Sequence, residues 1–155
     1  MKIAVRTALP SDAKPIARIL NQLEWFAEFD RQSAGLREDR VKSFLRDALE
    51  ATDQRVQVAV NPQGLVVGYL HCITIPYFFL PGLELYISQL FVESQHRAQG
   101  VGTQLLEAAR LLADQMDACR IRLYTGANRD SHTQGFYSSR GFTLKDDAQY
   151  QLDLF

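Results

Sequence analysis

The sequence predicts an α/β (α+β) fold: a mixed, mostly antiparallel sheet of about seven strands with helices on both faces. Three observations carry that prediction. Val56, Val58 and Val60 alternate with polar residues, the run Val66–Ile75 follows, and the turn signal Asn61-Pro62-Gln63-Gly64 between them makes the pair an antiparallel hairpin. A strand at Leu83–Val92, an amphipathic helix at about Gly100–Asp117 and a strand at Arg120–Thr125 form a second unit. Its two strands must be parallel, because a crossover helix joins them. Two helical stripes stand ahead of the hairpin, giving layers on either side of one sheet.

The remaining elements follow from local signals. Ile3 and Val5 alternate within a short first strand at about Lys2–Thr7. Ser11 and Asp12 cap a helix whose first turn tolerates Pro15 and whose stripe is Ile16, Ile19, Leu20 and Leu23. Glu24–Gly35 reads as a loop in which Trp25, Phe26 and Phe29 stand among Glu24, Glu28 and Asp30. Val41, Phe44, Leu45, Ala48 and Leu49 share one face of a helix at about Arg37–Ala51. Past the central unit, Asp130–Ser139 reads as a short helix with Gly141 as its C′ residue. Phe142–Leu144 and Tyr150–Leu154 read as two closing strands, with Asp146 and Asp147 in the turn between them.

Composition narrows the function. A chain of 155 residues suits one domain over 1–155, long enough to bury a core. A formal net charge of −1 gives no electrostatic case for nucleic acid. Cys72 and Cys119 lack metal-site spacing and imply neither zinc nor a disulfide framework. The start, Met1-Lys2-Ile3-Ala4-Val5-Arg6, has no apolar signal run, and Pro76, Pro81 and Gly82 break the greasiest segment, Ile73–Leu83. The expectation is a cytoplasmic protein with no membrane partner.

The segment Glu93-Ser94-Gln95-His96-Arg97-Ala98-Gln99-Gly100-Val101-Gly102-Thr103 lies between a strand and an amphipathic helix. Gly100 and Gly102 let the backbone turn sharply and approach a ligand. The first N–H groups of a helix have no internal acceptor, and the helix dipole adds positive charge there. A pyrophosphate fits such a site, and Arg97 adds cationic character, with His96 a further candidate. The turn lacks the Gly-Lys-Ser/Thr of a Walker A loop and the third glycine of the dinucleotide fingerprint. A glycine-rich helix start without a ligand is the structural alternative.

Arg97-Ala98-Gln99-Gly100-Val101-Gly102 resembles the Arg/Gln-x-x-Gly-x-Gly/Ala signature of the GCN5-related N-acetyltransferase (GNAT) family. Leu90-Phe91-Val92 ahead of it, Asn128 about 25 residues past the glycines, and Phe136-Tyr137 with Gly141-Phe142 are similar to that family's flanking pattern. Arg6, Ala8, Asp12 and Ile16 extend the likeness to the start of the chain. The resemblance implies acetyl-CoA as cosubstrate, held where the strand ending at Val92 and the strand at Arg120–Thr125 splay apart. Backbone groups around Leu90, Phe91 and Val92 would pair with the pantetheine arm. Backbone amides of Ala98, Gln99, Gly100, Val101, Gly102 and Thr103 would hold the pyrophosphate, with Arg97 beside them. Asn128 would contact the cofactor through its side-chain amide, and Tyr137 would aim its hydroxyl at the sulfur.

Such a reaction needs an unprotonated amine, a donor for the oxyanion and a proton for the leaving thiolate. A backbone N–H near Leu90 or Val92 is the oxyanion candidate. A thiol titrates at about 8.5 and a phenol at about 10, so Tyr137 suits the last role; as an alternative it is only a core aromatic beside Phe136. Many family members carry acids just before the Leu-Phe-Val strand end, but here those positions are Ser88 and Gln89. Glu84, six residues before Leu90, falls on the same face by period two unless a bulge intervenes, and is the candidate base. Its alternative is a solvated charge near a strand start. His71 is a weaker candidate, since a mid-strand histidine is more often a packed, hydrogen-bonded residue, and His132 reads as surface or a cofactor neighbour.

The acceptor is expected to be a primary amine of a small molecule or protein. The acidic aromatic loop Glu24–Gly35 suits a cation, or else is a solvated acidic loop with Trp25 in the core. Tyr77, Phe78, Phe79 and Leu80 in Pro76–Gly82 suggest a homodimer contact, an acceptor lid or core. A non-catalytic acyl-CoA-binding regulatory or interaction domain is the competing reading, kept open by Ser88 and Gln89. A different phosphate-ligand binder using the same turn is the third.

Overall fold

Alternating valines and a tight turn form the hairpin as the pattern directs. The structure, a computed structural model, describes residues 1–154. Its chain divides into two compact units, Met1–Leu123 and the residues from Tyr124 onward, and each is treated by itself.

In the first unit, β1 (Ala4–Thr7), β2 (Gln54–Val60), β3 (Val66–Ile75), β4 (Leu83–Val92) and β5 (Ala118–Leu123) form one sheet in the order β1-β2-β3-β4-β5. The first three pairings are antiparallel and β4 with β5 is parallel. The Asn61–Gly64 turn closes the hairpin: the Asn61 side-chain oxygen accepts from the Gln63 and Leu65 amides at 3.1 and 2.9 Å, and Gly64 supplies φ 79°.

Helices cover both faces. α1 (Ala13–Leu23) and α3 (Ala34–Glu50) bury Ile16, Ile19, Val41, Leu45 and Ala48 against Val56, Val58 and Tyr69. Leu70, Cys72, Leu85 and Ile87 share the opposite face, each under 5% exposed. There α4 (Val101–Gln115) crosses the sheet at Gly68, where an added Cβ would lie 3.1 Å from Val101 and 3.0 Å from the Phe91 carbonyl. Glycine is therefore what lets this helix seat. Asp12 ties β1 to α1: it accepts both ends of the Arg6 guanidinium at 2.8 and 2.9 Å and the Leu9 amide at 2.8 Å. Burial alone would raise the Asp12 carboxyl, but the Arg6 and Leu9 hydrogen bonds and the Arg6 charge outweigh it and hold it below the ordinary carboxylate range.

Several expectations need correction. α3 begins at Ala34, three residues before Arg37, because Ser33 caps it by accepting the Leu36 amide at 3.3 Å. The Glu24–Gly35 loop contains a helical turn, α2 (Ala27–Asp30). Among the described residues the sheet has five strands, not about seven. In the second unit, α5 spans only Asp130–Thr133, since Gly135 at φ 67° breaks the helix expected to reach Ser139. Gly141, at φ 86°, does take the left-handed position, but it caps a separate turn at Ser138–Arg140. Residues 142–154 form no strand. Tyr150, Leu152 and Leu154 alternate as a strand would, yet all are at least 80% exposed and have no ladder to join. Among the described residues, no helix is long and apolar enough to cross a membrane.

Candidate active site

The turn from Arg97 to Gly102 is built as its glycine suggests. After β4 a single 3₁₀ turn, Ser94–His96, reverses the chain, and Ala98 and Gly100 both take positive φ, 56° and 84°. The left-handed conformation suits Gly100 and strains Ala98, so the turn holds a shape an ordinary loop would relax. Gln99 anchors it by donating to the Gln95 carbonyl at 2.9 Å, and Arg97 Nε donates to the Val92 carbonyl at 3.2 Å. The first α4 bond runs from the Gln104 amide to the Gly100 carbonyl at 3.0 Å, so the Val101 and Gly102 amides ahead of it have no acceptor within the helix. Val101 turns its side chain into the core at 1% exposure. Gln99, Gly100 and Arg97 are exposed, and Gly102 and Thr103 half-buried.

Beside this turn β4 outruns its partner. The β4–β5 ladder pairs Ile87 with Leu123 and stops there, so residues 88–92 continue without β5. That stretch, paired with β3 on one side only, holds Leu90, Phe91 and Val92, the strand positions expected to meet a pantetheine arm. The Phe91 side chain points to the α1/α3 face, packing edge-on against Trp25 at 5.8 Å and Phe26 at 6.1 Å and near Tyr69 at 5.8 Å. Trp25 and Phe26 remain 44% and 39% exposed, so the Glu24–Gly35 loop presents an aromatic rim rather than burying it.

The face expected for Glu84 is overturned. In the β3–β4 register His71 opposes Gln89 while Cys72 opposes Ile87, which leaves Ser88 as one extra residue, a β-bulge. Alternation changes phase there, so Glu84 lies on the face opposite Leu90. Glu84 is 1% exposed and accepts from Arg120 Nε at 2.5 Å, with Arg122 Nε at 3.5 Å. Its charge is committed to two arginines of β5.

The bulge brings together residues that the alternation pattern had separated. Ser88 Oγ makes a short hydrogen bond to His71 Nδ1. His71 Nε2 lies 2.9 Å from Gln54 Oε1, and the Phe44 ring meets the imidazole edge-on at 5.0 Å. Next to them the Tyr69 hydroxyl donates to Gln89 at 2.7 Å. Burial lowers the His71 pKa, keeping the ring neutral at neutral pH, and raises that of Tyr69. On the other face burial pushes the Cys72 thiol up to about 12, which makes it a packing residue. Two consecutive polar residues, Ser88-Gln89, in the middle of the strand were the available sign of the bulge.

In the second unit Asn128 is exposed near Gly126, where an added Cβ would lie 3.3 Å from its side-chain oxygen. Tyr137 packs edge-on against Phe136 at 5.0 Å and Phe142 at 6.0 Å. Burial raises the Tyr137 phenol, only partly offset by a hydrogen bond with Ser131, so it stays protonated at neutral pH. His132 lies in α5 and is half-buried.

These features can be set beside known proteins. A family model described as an acetyltransferase (GNAT) domain matches residues 52–144. No curated protein matches the chain in sequence. Among solved structures, a transcriptional regulator from Bacillus halodurans C-125 superposes with TM-score 0.85 at 22% identity, covering 98% of this chain and 100% of its own. An acetyltransferase from Trypanosoma brucei gives 0.74 at 21%, covering 99% and 100%. Glucosamine-6-phosphate N-acetyltransferase from Arabidopsis thaliana gives 0.77 at 17%, covering 98% and 99%. At these identities the structures speak for the fold, and the family model for the family. The chain belongs to the GNAT acetyltransferase family.

Proposed function

We propose that this chain transfers an acetyl group from acetyl-CoA to a primary amine of a small molecule or protein by direct attack. The observation that carries the reading is the Ala98–Gly100 turn entering α4 beside the end of β4 that runs on past β5. Glycine at the left-handed position and the amides ahead of the first helical bond suit a pyrophosphate. The proposed cofactor contacts are the backbone of Leu90, Phe91 and Val92, the turn from Arg97 through Ala98, Gln99, Gly100, Val101 and Gly102 to Thr103, and Asn128 with Tyr137. The family match runs across both compact units, which supports reading residues 1–155 as one acetyltransferase domain.

Titration calorimetry with acetyl-CoA tests the cofactor half. Gly100→Val forces a branched side chain into φ 84°, a conformation that costs an L-residue about 1–2 kcal/mol. Relaxing the turn to avoid that cost moves the amides, so the acetyl-CoA Kd should rise by about tenfold or more. A Kd equal to the parent's would remove the turn from the account. CoA and ATP serve as the comparison ligands, since a general phosphate binder would take ATP as well.

Glu84 is better suited to holding Arg120 and Arg122 than to accepting an amine's proton, because its carboxylate is buried and already paired. Phe78 and Phe79 stand 112% and 75% exposed, which supports the homodimer contact over a core role for that loop. A sedimentation experiment that finds only monomer at high concentration would sink that contact. The second reading, an acyl-CoA-binding domain without turnover, draws on Ser88 and Gln89 standing where acids are usual, and release of free thiol separates it from the first.

A further inference from the structure

We propose that Ser88, His71 and Gln54 form a proton relay that takes up the proton of the attacking amine. The inference rests on the acetyltransferase reading and supplies the base that reading lacks. Three independent features converge on it. The β4 bulge places the extra residue, Ser88, against His71. The β4–β5 ladder ends at Ile87, so Ser88 is also the first residue of the open stretch that leads to Leu90–Val92. Gln54 Oε1 is an acceptor, so its 2.9 Å contact with His71 Nε2 favours the Nε2–H tautomer and leaves the Nδ1 lone pair to accept from the Ser88 hydroxyl, which also lies 3.3 Å from the His71 carbonyl oxygen. Nucleophile or donor, imidazole and orienting group in hydrogen-bonded sequence is the arrangement that proton transfer uses on many folds.

The step balances as follows. The neutral amine's lone pair forms the C–N bond at the thioester carbonyl carbon, and the C–S pair departs on sulfur. The amine proton passes to Ser88 Oγ as the Ser88 proton passes to His71 Nδ1. The imidazolium then returns its proton through Ser88 to the solvent, while the thiolate takes the proton that Tyr137 donates and regains from solvent, so amine and thioester become amide and thiol. Ser88 is the residue that touches substrate; His71 acts through it, and Gln54 positions the ring.

Burial keeps the imidazole neutral, the form a base requires. The groups facing it are uncharged: Gln54 from β2, Ser88 and Gln89 from β4, and Phe44 from α3. Arg40 and Asp47, one turn to either side of Phe44, are solvent-exposed.

The test is steady-state kinetics of Ser88→Ala, Ser88→Thr and His71→Gln on the full chain, with the pH profile of kcat/KM and mass spectrometry of the protein turning over acetyl-CoA. Ser88→Ala and His71→Gln should each lower kcat by about a hundredfold, the low end for general acid–base catalysis, with the acetyl-CoA Kd unchanged. Ser88→Thr should recover part of the loss. The parent's acid limb should fall below the ordinary histidine value and vanish in His71→Gln. Parental kcat in Ser88→Ala, or a parental acid limb in His71→Gln, overturns the relay, and so does an acetylated Ser88, which would make that serine a covalent nucleophile. Should His71→Gln fail to fold, Ser88→Ala, which removes one half-buried hydroxyl, decides alone. Nitrogen NMR of the imidazole separates the two levels of the account. A neutral ring protonated on Nδ1 overturns the relay whether or not the protein turns over, whereas an Nε2–H ring without thiol release from any amine contradicts the transferase reading.

Discussion

Glu84→Leu should lower the stability of the protein by about 2–4 kcal/mol, read as a fall in Tm of roughly 5–15 °C by circular dichroism. The reason is an uncompensated charge pair. Glu84 is fully buried at the start of β4 and holds Arg120 at 2.5 Å and Arg122 at 3.5 Å from the parallel strand β5. Removing one partner of a buried ion pair costs about 3–5 kcal/mol because the other charge stays behind. Here the two arginine side chains are 34% and 33% exposed and can partly rehydrate, which moves the expectation down that range. Arg120 also lies 5.7 Å from the Tyr77 ring centroid, so the loss should loosen the Pro76–Gly82 loop. Glu84→Gln gives the complementary reading: it should be destabilised in the same direction while keeping the parent's pH profile where it is folded. A lost acid limb in Glu84→Gln would restore Glu84 as the base.

Tyr137→Phe should lower kcat by about a hundredfold with little change in acetyl-CoA affinity. The phenol packs between Phe136 and Phe142 and stays close to Ser131. Phenylalanine keeps the packing and removes only the hydroxyl, so a fall in kcat isolates the proton donated to the leaving sulfur. The sign follows from the direction of the shift. Burial raises the Tyr137 pKa above the ordinary phenol value, so the proton is present throughout the neutral range and is lost only as pH rises past that value. The kcat profile of the parent should therefore show no basic limb from this group near neutrality. Unchanged turnover in Tyr137→Phe would leave the ring a packing residue.

The turn at Ala98–Gly100 was legible in the sequence because its conformation is set locally. Gly100 needs positive φ, and only a few residues on either side decide whether the turn forms. The hairpin and the α1, α3 and α4 stripes were legible for the same reason, since periodicity reports one face of one element. The bulge at Ser88 was not, although the polar pair Ser88-Gln89 marked the place. Whether two polar neighbours make a bulge depends on the register of β3, a long-range fact. That single residue moved Glu84 off the expected face and put His71 beside Ser88. The closing strands failed differently: Tyr150, Leu152 and Leu154 alternate, but alternation without a partner ladder does not make a strand. Gly135 was visible all along, and its left-handed backbone ended α5 before Ser139.

The most direct measurement mixes the protein with acetyl-CoA and a panel of primary amines and follows free thiol together with the mass of each amine. One equivalent of thiol for each acetyl group gained by an amine, at a rate that depends on both, is the predicted result. Tight binding of acetyl-CoA with no thiol released by any amine would contradict it and leave an acyl-CoA-binding domain in its place.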